Sequence, residues 1–304
     1  MHEGSTPLSV LNAWSVEIER CRQSYPSVGG YLLVDAGGFS ATDQAWINQH
    51  ACANLFEGTR DDVHAHLGPR LLLLPSSPAF PDWLGRLSRL DYRDPCVHWI
   101  WTRETPDGLN NRLQTLMNGK LENGREAMIR YFDRMVWRFL SNHLNEEQAD
   151  RFFAPCVVWQ SWGVDSWNAV LGQDLPEVTL DRTSLLWTDE QVYRINLAGL
   201  PMQLFQDLQG DFPDLLTKEN QPVREHQFAQ AVQKADAWGI TTYRDFMVFT
   251  ILSMTVSATF DAHPDVAAQL KRVREHGAKF FDVVDDVPRS AWAALGAPAR
   301  SELF

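Results

Sequence analysis

The sequence predicts an α/β amino-terminal lobe with a mostly parallel sheet, followed by an all-helical carboxyl-terminal lobe. In the first half, short and continuous apolar runs alternate with helical patterns, which is typical of strands buried on both faces. In the second half, helix caps and glycine stops recur without strand patterns between them. A chain of 304 residues is long enough for two such lobes. We place the α/β domain at residues 1–170 and the helical lobe at 181–304, with the best linker at 172–183.

Five strands are predicted in the first half, each bounded by a turn residue, a proline or a glycine. They are Tyr31–Asp35, Leu71–Leu74, Val97–Trp101, Glu126–Phe132 and Val157–Gln160. Four helices are predicted between them: Asp43–Phe56, a short helix capped by Thr59, Pro106–Met117, and a helix that Asp133 caps. Strands and helices therefore alternate through this half.

The second half opens with the capping box Thr188-x-x-Gln191. Pro222 stands where a first helical residue belongs, and Thr242-x-x-Asp245 begins an almost wholly apolar helix, Phe246–Val256. Pro264–His276 is a further helix, closed by Gly277. This lobe is predicted to contain helices alone.

Charge and hydropathy exclude several classes of partner. The formal net charge is −12 and no run of Lys or Arg occurs, so nucleic acid and anionic membranes are not expected partners. The longest strongly apolar stretch, about eleven residues, is too short to cross a bilayer. The amino terminus lacks the features of a secretory signal, and the four cysteines are scattered without a Cys-x-x-Cys. We expect a cytoplasmic protein with reduced thiols and no membrane insertion.

Known catalytic motifs are missing from the sequence. It contains no Gly-x-Gly-x-x-Gly, no P-loop and no Gly-x-Ser-x-Gly. Cys156 and His143 could form a nucleophilic pair, but nothing local brings them together. The carboxylates Glu57 and Asp133 have no catalytic partner nearby in the sequence, and Asp133 is explained as a helix cap. No catalytic residue and no cofactor are therefore predicted.

Two groups of side chains could be mistaken for metal ligands. His64 and His66 point about 200° apart on a helix, so one metal cannot take both without distortion. Asp282, Asp285 and Asp286 are more typical of a solvated acidic turn. No metal site is predicted.

Four sequence blocks in order resemble a known family. They are Tyr31–Asp35, Leu55–Thr59, Gly68-Pro69 before an apolar strand, and the central block Gly124–Asp133 followed by Leu144–Gln148 and Arg151–Pro155. This pattern resembles the effector-adaptor (chaperone) family of bacterial type VI secretion systems, over roughly 28–162. The family commonly continues the central block with Pro-Arg, where this chain has Arg134-Met135.

The resemblance implies a function without catalysis. Members bind a toxic effector in the producing cell, keep it soluble and help to load it onto the spike, VgrG or its PAAR tip. The implied partners are a cognate effector and that spike. Arg130, Asp133, Glu57 and Gly58 are then structural motif residues, and Arg134 could make the partner contact of the family's arginine.

The aromatic content also fits a protein that grips apolar segments. Trp159, Trp162 and Trp167 lie between the two lobes in sequence and are candidate partner-binding residues, with Trp162 the first choice because it precedes Gly163. The alternative is that these tryptophans fill the core.

Two other functions remain open. An enzyme could bind a small ligand at the carboxyl ends of parallel strands, near Asp35, Trp101 and Asp133. An immunity-type inhibitor of a toxin would also be an acidic binder.

Overall fold

A computed structural model describes residues 7–37, 39–75, 82–93, 96–162, 167–175, 185–211 and 221–296. The chain divides into two compact units, Met1–Asn196 and Leu197–Phe304. The first unit extends through Asn196 because Leu185, Trp187 and Ile195 are buried in its core. Of the predicted linker, residues 176–183 lie outside the described residues.

The first unit contains nine strands and six complete helices among its described residues, and a seventh helix begins in it. The strands are β1 Gly29–Val34, β2 Ala51–Asn54, β3 Arg70–Leu73, β4 Val97–Thr102, β5 Asn118–Leu121, β6 Glu126–Met128, β7 Cys156–Trp162, β8 Trp167–Leu171 and β9 Leu185–Trp187. The helices are α1 Pro7–Ser24, α2 Ala41–Asn48, α3 Asp82–Arg93, α4 Pro106–Met117, α5 Arg134–His143, α6 Glu146–Phe153 and α7 Asp189–Asp211. A 3-10 helix covers Asp62–Leu67.

The main sheet is antiparallel, so the prediction of a mostly parallel sheet is wrong. Its six strands lie in the order β2-β3-β1-β4-β7-β8, and every neighbouring pair is antiparallel. The inner strands β1, β4 and β7 are largely apolar because both faces of the sheet are covered by helices. Burial on both faces removes the alternation of polar and apolar residues, but it does not determine strand direction.

Two hydrophobic clusters cover the two faces of this sheet. On one face Leu33, Ile100 and Trp159 pack with residues of α4, α5 and α6. On the other face Leu32, Val34, Trp99 and their neighbours pack with α1, α2 and α3. The first unit is therefore a three-layer helix–sheet–helix arrangement.

Two predicted elements differ in extent from those observed, and the predicted cap at Thr59 is wrong, because the short 3-10 helix begins after Asp61. The predicted helix Asp43–Phe56 ends at Asn48, and the chain returns as strand β2. The predicted strand Glu126–Phe132 ends at Met128, in a small mixed sheet of order β6-β5-β9. In both places the sequence has no Gly or Pro at the observed end of the element, so the prediction runs across a turn that tertiary contacts decide.

The second unit is helical in its described residues, but the predicted all-helical range 181–304 is wrong at its start, where strand β9 belongs to the first unit. Its helices are α8 Gln221–Ala237, α9 Tyr243–Thr255, α10 Pro264–His276, α11 Phe280–Val283 and α12 Arg289–Ala294, and the end of α7 also belongs to it. The predicted cap of α9 is confirmed, since Thr242 accepts a hydrogen bond from the Asp245 amide. Gly277 ends α10 in the left-handed conformation (φ 65°). None of the described helices is long and apolar enough to cross a membrane.

Candidate functional site

The sequence blocks singled out above meet at one end of the six-stranded sheet. Asp35 follows β1, Leu55–Thr59 follows β2, and Gly68-Pro69 precedes β3. Because β3 is antiparallel to both β1 and β2, these three segments lie at the same end. The central block joins them, since His98 Nε2 at the start of β4 donates to the Phe132 carbonyl oxygen over 2.9 Å. We call this region, Asp35, 54–59, 68–70, His98 and 130–134, the motif end.

The segment Arg130–Asp133 is a tight turn that separates apolar from charged side chains. The Asp133 amide donates to the Arg130 carbonyl oxygen over 2.9 Å. Tyr131 and Phe132 are buried, and the Tyr131 hydroxyl donates to the Leu113 carbonyl oxygen. Arg130 is exposed, with 56% of its side chain accessible. The Phe132 ring packs edge-on against Phe56 of the second block at 6.1 Å. The two blocks are therefore held together by an aromatic contact.

Asp133 is the predicted N-cap of α5, which is confirmed. Its carboxylate accepts hydrogen bonds from the amides of Met135 at 2.8 Å and Val136 at 3.3 Å. Burial raises the pKa of Asp133, although Arg130 and the two amides oppose this rise. The residue is thus chiefly structural, at the point where the turn passes into a helix.

Replacing Asp133 by Ala should cost about 0.5–2 kcal/mol of unfolding free energy, because two first-turn amides lose their acceptor. Asp133→Asn keeps an acceptor oxygen and should be much milder. Chemical denaturation of both variants measures the difference. Equal losses in the two variants would contradict the capping role and point to the charge near Arg130 instead.

Asp35 is a motif-end carboxylate whose pKa is raised well above its ordinary value. Burial, with a smaller contribution from the Asp133 carboxylate, raises the pKa of Asp35 to about 6, although Arg130 and the Gly37 amide act in the opposite direction. Its only described ion pair, with the Arg130 guanidinium, is long at 3.9 Å. Perturbed carboxylates of this kind are common at functional sites. The motif end therefore presents a weakly paired Asp35–Arg130 couple beside Phe132.

Asp35→Asn should stabilise the protein above pH 6. The folded pKa of about 6 exceeds the ordinary value of 3.8. The unfolded chain therefore loses its proton first, and wild-type stability falls as pH rises between these values. The advantage of Asp35→Asn should grow over that range to on the order of 2 kcal/mol.

Urea denaturation of wild type and variant between pH 4 and pH 7.5 measures this advantage. Glu122→Gln, which removes an exposed carboxylate from the β5–β6 hairpin, is the control for a general effect of charge. An Asp35→Asn difference that did not change with pH would contradict the raised pKa.

His98 is a motif-end residue that the sequence analysis missed. It is fully buried, and burial lowers its pKa to about 3, so the ring is neutral. Its Nδ1 and the Ser161 hydroxyl, directly opposite on β7, have no hydrogen-bond partner among the described residues. A histidine within the apolar run Val97–Trp101 was the available signal. Buried polar atoms without partners are uncommon in native structures.

Glu57 and Gly58 form the turn after β2. Gly58 adopts φ 70°, which a residue with a Cβ rarely does, and it is exposed. Glu57 accepts a hydrogen bond from the Asn54 side chain, and Gln114 of α4 donates to the carbonyl oxygens of Leu55 and Glu57. The roles of these two residues in the described contacts are structural.

The candidate partner-binding residues occupy different environments. Trp159 is fully buried against Tyr131, Phe152 and Phe153, so the structure favours the core-filling alternative for it. Trp167 is half-buried, edge-on to Trp99 at 6.0 Å. The side chain of Trp162 lies outside the described part of the structure. Arg134 is the first residue of α5, half-buried at the motif end.

The residues considered as catalytic groups or metal ligands do not come together in the described structure. Cys156 is buried, its Sγ 3.3 Å from Arg112 Nη2, and burial raises the pKa of its thiol. His143 instead stacks on Phe139 at 4.2 Å at the exposed end of α5. Within the described residues no group of His, Cys, Asp or Glu is arranged to hold a metal ion.

The small-ligand site predicted from parallel strands is also not formed. Asp35 lies beyond the carboxyl end of β1, whereas Trp101 pairs with Gly30 at the amino end of that strand. Because β1 and β4 are antiparallel, the two residues lie at opposite ends of the sheet. Only Asp35 and Asp133 of the three predicted residues come together.

A buried ion pair lies near the opposite end of the sheet. Arg112 of α4 is fully buried and Glu104 is 6% exposed, and the guanidinium donates to both carboxylate oxygens at 2.7–3.0 Å. Arg112 Nη1 also donates to the Phe152 carbonyl oxygen at 2.9 Å. The pair thus ties α4 to the end of β4 and to α6. Sequence analysis missed it because eight residues separate the two charges and no local pattern indicates burial.

Comparison with known proteins gives one match. The model of a domain of unknown function (DUF4123) matches residues 30–151. This range includes every segment of the motif end. No curated protein and no solved structure matches the chain.

Proposed function

We propose that this protein is a non-enzymatic adaptor that binds a specific type VI secretion effector, keeps it soluble and helps to load it onto the VgrG or PAAR spike. The observation that carries the proposal is the match of the domain DUF4123 to residues 30–151, together with the resemblance of its sequence blocks to effector adaptors. The adaptor acts in the cytoplasm of the producing cell, before secretion.

The roles of the matched residues support binding rather than catalysis. At the motif end, Asp133 caps a helix, Phe56 and Phe132 pack together, and Gly58 makes a turn. His98 and, just beyond the matched range, the thiol of Cys156 are poorly suited to acid–base and nucleophilic chemistry, since burial disfavours the charged form of each.

Coexpression with the product of the adjacent gene tests the proposal. We expect a stable complex after affinity purification, and lower effector secretion when the gene for this protein is deleted. The delivered effector should remain toxic in target cells. A complex in which the toxin is inactive and stays so after delivery would favour an immunity-type inhibitor, and copurification of a small molecule instead of a protein would favour an enzyme.

A second experiment separates binding from catalysis. Glu57, His143 and Cys156 are replaced singly by Ala, in variants shown to be folded. Effector binding and secretion should rise or fall together in each variant. A variant that abolished secretion while binding remained intact would make an enzymatic step the better explanation.

A further inference from the structure

Strand β8 is one edge of the six-stranded sheet. It pairs with β7 over five residues, from Trp162↔Trp167 to Val158↔Leu171. No described strand pairs with its other side. An edge of this length offers a row of backbone donors and acceptors to another extended chain.

The register identifies which backbone groups point outwards. The Gly172 amide donates to the Val157 carbonyl oxygen over 3.1 Å, in line with the β7–β8 pairing. Hydrogen-bonded and non-hydrogen-bonded pairs alternate along an antiparallel ladder. Val170 therefore faces β7, while the amide and carbonyl groups of Ala169 and Leu171 face away from it.

The β8 edge lacks the usual devices that prevent pairing. Its sequence, Trp-Asn-Ala-Val-Leu, contains no charge and no proline, and 73% of Leu171 is exposed. The opposite edge, β2, is four residues long and its register shifts between Ala51 and Ala53. Short and irregular edges discourage strand addition. The two edges of the sheet are therefore not equivalent.

The chain after β8 holds this edge in place. The amides of Gln173 and Leu175 donate to the Ala154 carbonyl oxygen, and the Asp174 amide donates to that of Cys156. The Asp174 carboxylate also forms an ion pair with Arg103 at 2.8 Å. A preorganised edge loses little conformational entropy when a partner strand binds.

We propose that β8 binds an extended segment of the effector, which adds a seventh strand to the sheet. This inference rests on the proposed adaptor function and specifies its binding mode. The bound segment is uncharged or basic, with an apolar side chain placed to cover Leu171. Charge favours this occupant over a second copy, because each copy carries a formal net charge of −12.

Two variants test the edge. Ala169→Pro removes an outward-facing amide and adds a ring that blocks a neighbouring strand, without removing a hydrogen bond to β7. Leu171→Lys places a charge on the same edge and serves if Ala169→Pro does not fold. Val63→Lys is the matched control, since Val63 is 77% exposed and lies in the 3-10 helix between β2 and β3, at the other edge.

The experiment measures the affinity of each full-length variant for the effector encoded by the adjacent gene. We expect at least tenfold weaker binding for Ala169→Pro and Leu171→Lys, and a change of less than twofold for Val63→Lys. Hydrogen exchange should show new protection in peptides that span residues 167–172 when the effector binds, from the amides of Ala169 and Leu171.

Three outcomes would overturn the inference. Folded edge variants that bind as tightly as wild type would exclude β8, as would unchanged exchange at 167–172 in the complex. A wild-type dimer that Ala169→Pro converts into a monomer would assign the edge to a second copy. In these cases the wild-type protein still binds its effector, whereas failure of the adaptor function itself would appear as no binding by wild type.

Discussion

Replacing Glu104 by Ala should destabilise the first unit by about 3–5 kcal/mol, because it leaves the fully buried Arg112 guanidinium without its counter-ion. The two other groups that Arg112 contacts are the Phe152 carbonyl oxygen and the Cys156 thiol. Both are neutral, so neither can replace the lost carboxylate. Urea denaturation followed by tryptophan fluorescence measures the loss.

Arg103→Ala is the matched control. Arg103 also forms a bidentate pair, with Asp174, but its side chain is 50% exposed. Its loss should destabilise the unit far less than Glu104→Ala, because solvent screens an exposed ion pair. The double variant Glu104→Ala/Arg112→Leu should recover much of the stability, since no charge remains buried. A Glu104→Ala loss no larger than that of Arg103→Ala would contradict a buried ion pair.

Trp159→Ala should cost about 3–5 kcal/mol, as expected for an indole removed from a close-packed core. Trp159 is fully buried, and its ring lies 5.7–6.3 Å from those of Tyr131, Phe152 and Phe153. Thermal and urea unfolding of the variant measure the loss.

Trp167→Ala provides the comparison, because Trp167 was also a candidate anchor but is half-buried. Its stability loss should be clearly smaller than that of Trp159→Ala. A Trp159→Ala variant that melted like wild type but bound the effector at least thirtyfold more weakly would restore Trp159 as an exposed anchor.

Local signals in the sequence predict much of the secondary structure. The helices Pro106–Met117 and Pro264–His276 were predicted with their observed bounds, because a proline at the start and a cap or glycine nearby act within a few residues. The cap at Asp133 was predicted for the same reason. The capping box at Thr188 is confirmed by reciprocal hydrogen bonds with Gln191.

The candidate site was predicted only in its parts. Sequence analysis identified the blocks around Asp35, Phe56 and Asp133. It did not predict that these blocks meet at one end of the sheet. His98 reaches Phe132 over 34 residues of chain. The raised pKa of Asp35 depends on burial and on a carboxylate 98 positions away, and no local pattern carries such information.

By itself, the sequence determined several helix caps, the positions of the main-sheet strands β1, β3, β4 and β7, and the helical character of the second unit, because capping and turn geometry depend on neighbouring residues. Tertiary structure alone decided the strand directions, and with them which strand ends lie together. A strand buried on both faces has the same apolar sequence in either direction, so its direction depends on hydrogen bonds to strands that are distant in the chain. This is why Asp35 and Asp133 meet while Trp101 does not join them, and why β8 lies at one edge of the sheet.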